Sequence, residues 1–340
     1  MIHYGKTGIG RARGVAVAAL AMLGALAIAP VAPGQAHAAE LKVWRHGIIQ
    51  AKSDAGIIMM VTQGFAQKEG LKLEISQFKA DVIGLKALIA GEVDSYEGGP
   101  GGAMIAASRG ADVRVIGCHW PGLPHGIFVR ANIHSAKDLV GKTIAISSPG
   151  AMPDMLARAL LERDGVSPDQ VKFANLGGDA DRFKALAAGV VAAAVVSNEY
   201  TPIATKEGLK LLVPGRELLP NYMRVCIMTS GKVLREKHDL AVRFLAAEMK
   251  ALHFAMTHRD ATLALTREIT GVKPDDPRPA FIYDDALRTH AVDPTLAIPR
   301  AKFAWLQAQS IKSGEQPKPV DLSTFLDDSV RREALALIAK

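Results

Sequence analysis

Apolar positions along the chain recur with two different periods. Leu71, Leu73 and Ile75 alternate with Lys72, Glu74 and Ser76, a period of two that predicts a strand. Just upstream, Ile57, Ile58, Val61 and Phe65 share one face of a helix predicted over 54–67, with Asp54 as its N-cap and Gly70 closing it. A first strand is predicted over 41–44, and further strands over 93–96 and 113–118, with helices over 82–90 and 101–108 between them. The rhythm restarts at Lys142, where strands over 142–146, 171–176 and 192–196 alternate with helices over 153–163 and 181–188. From Asp239 onward the pattern is almost wholly helical, with helices predicted over 240–257, 260–270, 300–313 and 322–338. Strands alternating with helices in this way predict an α/β fold with mainly parallel sheets.

The two halves of the pattern share a phrase. Lys86-Ala87-Leu88-Ile89-Ala90-Gly91-Glu92-Val93 returns 98 residues later as Lys184-Ala185-Leu186-Ala187-Ala188-Gly189-Val190-Val191. In both copies an apolar helix ends on a glycine suited to the left-handed residue after a helix, then runs into a strand. A length of 340 residues also fits two lobes.

Composition changes the picture at the N-terminus. Lys6, Arg11 and Arg13 precede an uninterrupted apolar run over 15–29, then Pro30, Pro33 and the small-x-small triplet Ala36-His37-Ala38. Residues 1–38 therefore read as a secretory signal peptide cleaved after Ala38. Fifteen apolar residues rise about 22 Å as a helix, short of the ~30 Å hydrocarbon core that a retained anchor would have to cross. No Cys follows the run, so a lipid-anchored mature end is not expected. Those 38 residues hold no acid, so the formal charge of +7 falls to +4 without them, from 38 Lys and Arg against 34 Asp and Glu. A charge so small and dispersed, with only 5% aromatic residues, argues against a nucleic-acid partner. Export also bears on Cys118 and Cys226. In an oxidising compartment they form one disulfide, or they are two buried small apolar side chains; both readings stand.

Four stretches carry a family likeness. They are the run from Lys86 to Asp94 followed by Gly98-Gly99-Pro100; Asp138-Leu139-Val140-Gly141-Lys142-Thr143-Ile144-Ala145; the second copy from Ala185 to Gly189; and Val320-Asp321-Leu322 with Phe325-Leu326-Asp327. With these the chain resembles the periplasmic solute-binding proteins of ABC importers, in the branch handling aliphatic sulfonates, taurine, nitrate and thiamine-pyrimidine precursors. One departure is Ala192, where the second copy in the family often carries Asp; the first copy keeps Asp94, which reads as structural. The resemblance implies a two-lobed type II periplasmic binding protein fold with two hinge crossings and C-terminal helices. The crossings are expected near 126–130 and 224–229, with lobe one over 39–130 plus 225–340 and lobe two over 131–224. It implies a monomer in the periplasm that closes around a small anionic organic solute and delivers it to a membrane permease.

Ligands of open α/β sheets lie beyond the carboxyl ends of the strands, so the loops there supply the candidate site. His46 and Gln50, with Arg45, follow the first strand. Gly99 and Gly101 belong to a glycine run whose backbone N–H groups can approach a ligand closely. Ser147, Ser148, Gly150 and Ala151 precede a helix, whose N-terminus suits an anion. Asn198 and Tyr200 follow a strand, Trp120 and His125 lie beside the first crossing, and Tyr222 precedes the second. No catalytic residue, metal ligand or cofactor is assigned: the chain has no H-E-x-x-H, no G-x-S-x-G, no Walker loop and no C-x-x-C. The alternatives are an enzyme on the same fold, such as an aromatic-acid decarboxylase or thiamine-pyrimidine synthase, and the solute receptor of a TRAP-type transporter.

Overall fold

The computed structural model describes residues 40–49 and 55–339, so the expected signal peptide and Gln50 lie outside the described residues. Strands β1 (Lys42–Ile48) and β2 (Leu71–Gln77) pair in parallel along their whole length. Between them the expected single helix is two, α1 (Ala55–Thr62) and α2 (Phe65–Lys68), because Gly64 takes a left-handed backbone, φ 70°, and resets the axis. Then follow α3 (Asp81–Ala90), β3 (Ser95–Gly98), α4 (Pro100–Ser108) and β4 (Arg114–Trp120). A second series runs β5 (His125–Arg130), β6 (Thr143–Ile146), α5 (Met152–Arg163), β7 (Lys172–Asn175), α6 (Asp179–Ala187), β8 (Ala193–Ser197), α7 (Thr201–Lys206), β9 (Leu209–Pro214) and α8 (Gly215–Leu218). Strand β10 (Val225–Thr229) leads into α9 (Gly231–Thr257), α10 (Arg259–Thr270), α11 (Arg278–Arg288), α12 (Arg300–Lys312), α13 (Leu322–Phe325) and α14 (Ser329–Ile338). The helix expected over 322–338 is broken because Leu326 leaves it to bridge Val115 of β4, and Asp327 N–H donates to the Val115 carbonyl.

Two five-stranded sheets result, ordered β2-β1-β3-β10-β4 and β7-β6-β8-β5-β9. Each sheet has two parallel and two antiparallel pairings, because β10 runs antiparallel to β3 and β4, and β5 antiparallel to β8 and β9, so four strands point one way and one the other. The sheets are therefore mixed rather than mainly parallel. In each, the reversed strand is the one the chain lays down on arriving from the other sheet. The changes of sheet fall over 121–124 and 215–224. Arg224 lies in the second passage, but the rest of the segments expected as crossings, 126–130 and 225–229, belong to β5 and β10 inside the sheets. Both are almost fully buried runs, as befits strands with a neighbour on each side, and such a pattern does not reveal which sheet a strand joins.

The repeated phrase marks equivalent places. It forms α3 before β3 and α6 before β8, and Gly91 (φ 76°) and Gly189 (φ 78°) end both helices in the left-handed region. Asp94 has no counterpart at Ala192 and fastens the first sheet instead. Its carboxylate accepts from the Arg45 backbone N–H (3.0 Å), the Arg45 guanidinium (2.7 Å) and Lys237 Nζ of α9 (2.9 Å). Burial works against its charge, yet these hydrogen bonds win and hold the carboxyl below the ordinary carboxylate range.

Helices cover both faces of each sheet, so the inner strands β3, β8 and β10 are buried on both sides, whereas the edge strands β2 and β7 stay largely exposed. On one face of the first sheet Trp44, Ile48 and Ile227 pack against Phe244 and Leu245 of α9; on the other Tyr96, Val115 and Met228 pack against Leu88, Met104 and Phe303. A disulfide joins Cys118 of β4 to Cys226 of β10. Among the described residues no helix is long and apolar enough to cross a membrane.

Two outcomes follow from this packing. A carboxylate with a lowered folded pKa stabilises above its unfolded value and loses that contribution as pH falls through the folded value. Asp94→Asn is expected to cost about 1–3 kcal/mol at pH 7 and progressively less as pH falls below the ordinary carboxylate range; urea unfolding from pH 7 to pH 2.5 measures it, and an equal loss throughout contradicts the assignment. The double variant Cys118→Ala/Cys226→Ala is expected to lose about 2–5 kcal/mol in the same assay.

Candidate ligand-binding cleft

A cleft of about 830 Å³ opens where the carboxyl ends of the parallel strands in both sheets converge. Ile49, Gln77 and Gly98 border it from the ends of β1, β2 and β3, and Ser147 and Ser197 from the ends of β6 and β8. Gly98 has to be glycine, since a Cβ there would overlap the Asp81 carboxylate and the Tyr96 hydroxyl. With no side chain in the way, Tyr96 Oη donates to Asp81 Oδ1 (2.6 Å) and Gly99 N–H donates to the same oxygen (3.1 Å). The loop from β3 into α4 is thereby pinned with its backbone facing the cleft.

Five of the expected site residues border this space: Gly99, Trp120, His125, Ser147 and Tyr200. The other expected residues among those described stand elsewhere. His46 is fully buried beneath the sheet surface. Gly101 faces Leu306 of α12. Asn198 is buried, its backbone N–H donating to the Pro124 carbonyl. Tyr222 packs on the apolar core of the second sheet, and burial pushes its hydroxyl up to about 12. Ser148, Gly150 and Ala151 lie in the turn before α5, outside the cleft lining. The anion expected at the N-terminus of that helix is anticipated by the protein itself, because Asp154 in its first turn accepts from Gly150 N–H (2.9 Å) and pairs with Arg158.

Positive charge reaches the cleft from residues the sequence reading did not assign, Arg182, Arg224 and Arg278. Arg182 in α6 is almost fully buried; it donates to the Val195 carbonyl (2.6 Å), to the Gly177 carbonyl and to Asp179. Arg224 lies over the Trp120 ring, 5.3 Å from its centroid, and its backbone N–H donates to the Trp120 carbonyl, so the two crossings touch here. Arg278 opens α11, lies over the Tyr200 ring at 5.5 Å and pairs with Asp276 (2.6 Å). Against these stand Asp81, Glu97, Asp179 and Glu199, so the lining is nearly balanced in charge.

Among the described residues, two polar atoms on the wall make no hydrogen bond. Trp120 Nε1 is inaccessible and makes no hydrogen bond, and the same holds for His125 Nδ1. His125 Nε2 sits 3.6 Å from Asp179 Oδ2. Burial lowers the His125 pKa; Asp179 opposes that, and Arg224 and Arg182 reinforce it, so the ring is neutral at pH 7. With Nε2 carrying the proton toward Asp179, Nδ1 is an acceptor, whereas Trp120 Nε1 is only a donor.

The sequence from 52 to 262 matches the family described as NMT1/THI5 like. The chain belongs to the NMT1/THI5-like family. No curated protein matches it in sequence. Solved structures similar to this NMT1/THI5-like chain include the periplasmic aliphatic sulphonate binding protein SsuA from Escherichia coli, 21% identical with a TM-score of 0.69, covering 84% of this chain and 91% of that one. The alkanesulfonate-binding protein SsuA from Xanthomonas axonopodis pv. citri bound to MOPS is 20% identical, with a TM-score of 0.65 over 85% and 99% of the two chains. The desulfurization enzyme DSZB is 17% identical, with a TM-score of 0.64 over 87% and 99%. The fold is the two-lobed α/β fold of type II periplasmic binding proteins, and it serves both solute binding and catalysis among its neighbours.

A histidine buried in its neutral form lowers stability on the acid side. The unfolded ring takes up a proton near pH 6.5 while the folded one resists, so stability falls as pH drops below about 6.5, by at most ~1.4 kcal/mol per pH unit. His125→Gln is expected to flatten that limb when unfolding free energy is followed from pH 7 to pH 5; an unchanged slope contradicts the role given to His125.

Proposed function

We propose that this protein captures a small anionic organic solute in the cleft and delivers it to the membrane permease of an ABC importer, in the periplasm, after loss of residues 1–38. The observation that carries the reading is Trp120 Nε1, a buried donor without an acceptor on the wall of a cleft that also holds Arg182, Arg224 and Arg278. A buried donor left unmatched costs about 1–3 kcal/mol, and an anionic oxygen relieves that cost. Ser147 and Tyr200 add hydroxyl donors from the side of the second sheet, opposite Trp120, and His125 Nδ1 offers an acceptor to any donor the solute carries beside its anionic group. Micromolar affinity needs about 8 kcal/mol, more than one such contact supplies, so the solute is held only when both lobes reach it. Lobe one comprises the first sheet with the C-terminal helices, lobe two the second sheet, and the solute stabilises their closed arrangement because only there do both sets of contacts form.

Sulfonate recognition by the two SsuA proteins is in keeping with this reading, and a sulfonate or carboxylate is the head group proposed. Catalysis through a thiol has no support, since the chain's two cysteines are joined to each other.

Thermal unfolding with sulfonates, taurine, nitrate and aromatic carboxylates tests the proposal. A solute at a hundred times its Kd adds about 2.7 kcal/mol. Trp120→Phe is expected to weaken the best solute roughly tenfold, about 1.4 kcal/mol, while leaving the solute-free midpoint nearly unchanged. Anions that shift nothing, or a solute converted to product during incubation, overturn the reading.

A further inference from the structure

On the face of the first sheet covered by α9, four side chains that can bind metal meet beneath the cleft. The period of two along the strands puts His46 on the same face as Trp44, and Glu97 on the same face as Ser95; His119 reaches in from the end of β4 and Glu248 descends from α9. All four are buried, none more than 4% exposed. One donor atom from each of Glu97, His119 and Glu248 lies within 4.8 Å of the other two. His119 Nε2 is 3.1 Å from Glu97 Oε1, His119 Nδ1 is 3.3 Å from Glu248 Oε1, and His46 Nε2 is 3.4 Å from Glu97 Oε2.

We propose that Glu97, His119 and Glu248, flanked by His46, form a binding site for a divalent transition-metal ion of the zinc type. Three observations converge on it. The donor set is imidazole nitrogen and carboxylate oxygen, the mixture Zn²⁺ takes when it has no thiolate. Zinc bonds of about 2.0–2.2 Å in a tetrahedron put neighbouring donors roughly 3.3–3.6 Å apart, and with one donor atom from each of Glu97, His119 and Glu248 already within 4.8 Å of the other two, His119 binding through one of its two nitrogens, only a small contraction onto the ion is needed. Among the described residues His119 Nδ1, 3.3 Å from Glu248 Oε1, makes no hydrogen bond, which leaves that nitrogen available to an ion.

The surroundings fit as well. Ser95 Oγ accepts from Trp44 Nε1 (2.8 Å) and lies 2.7 Å from His46 Nδ1. That engages one nitrogen of His46 and turns Nε2 toward Glu97, as the outer partners of metal-bound histidines do. A cavity of about 140 Å³ borders Glu97, His119 and Glu248 and shares Trp120 and Ile282 with the main cleft, which provides a route for the ion. Glu97 borders the cleft, so a cation there would turn its nearly balanced lining positive; this link to the solute rests on the function proposed above, whereas metal binding itself does not.

The test titrates the chelator-stripped exported protein with ZnCl₂ by calorimetry and with CoCl₂ by visible absorption, with no solute present, so a failed solute panel leaves it intact. The expected result is one ion per chain with the intense absorption of four-coordinate Co²⁺. Glu97→Gln and Glu248→Gln, each checked for folding by circular dichroism, should weaken Zn²⁺ at least tenfold. His238→Gln, which removes an exposed imidazole paired with Glu333, should not. Absence of binding by the wild type, or binding that survives both glutamate variants, overturns the site.

Discussion

Each sheet depends on a strand delivered by the other half of the chain. β10 is hydrogen-bonded between β3 and β4, and β5 between β8 and β9, so neither sheet is complete until the chain has left it and returned or arrived from its counterpart. This single constraint forces two passages between the sheets, places them side by side, and leaves the carboxyl ends of the parallel strands facing one opening. The cleft is a by-product of strand order. Its contents are then whatever the loops at those ends carry.

Much of this was legible as periodicity. The strands β2, β6 and β7, the helices α3, α5 and α6, and the equivalence of the two halves follow from alternation, helical spacing and the repeated phrase ending in Gly91 and Gly189. What local pattern could not supply was membership. β5 and β10 read as buried apolar runs, yet which sheet receives them is decided by pairing with residues far away in sequence. The same holds for the break at Leu326, which leaves a helical pattern because Val115 offers it a partner. β9 went unread because its run Leu209-Lys210-Leu211-Leu212-Val213 is short and loses alternation at Leu212, whereas α11 carries a clear amphipathic helical pattern and was readable.

The candidate site was legible in part, and the division is instructive. Loops at strand ends could be found from the fold alone, which brought in Gly99, Trp120, His125, Ser147 and Tyr200. Arginines could not. Arg182 sits in a helix whose sequence, Asp179 to Lys184, reads as a solvated face, and only the tertiary structure turns it inward to carbonyls of its own lobe. The buried cluster of His46, Glu97, His119 and Glu248 shows the limit more sharply. Its members are spread over 203 residues on three strands and a helix, with no ligand spacing to betray them. Strand period tells which face each occupies, but not that the faces meet.

The disulfide gives the two passages a common root. Cys118 lies two residues before Trp120, and Cys226 two residues after Arg224, so the indole and the guanidinium stacked on it are mounted on short arms from one covalent knot. Whatever swing the second sheet undergoes, the gap between those two groups varies little. They act as a gauge block at the base of the opening, against which the remaining, more distant contacts are measured.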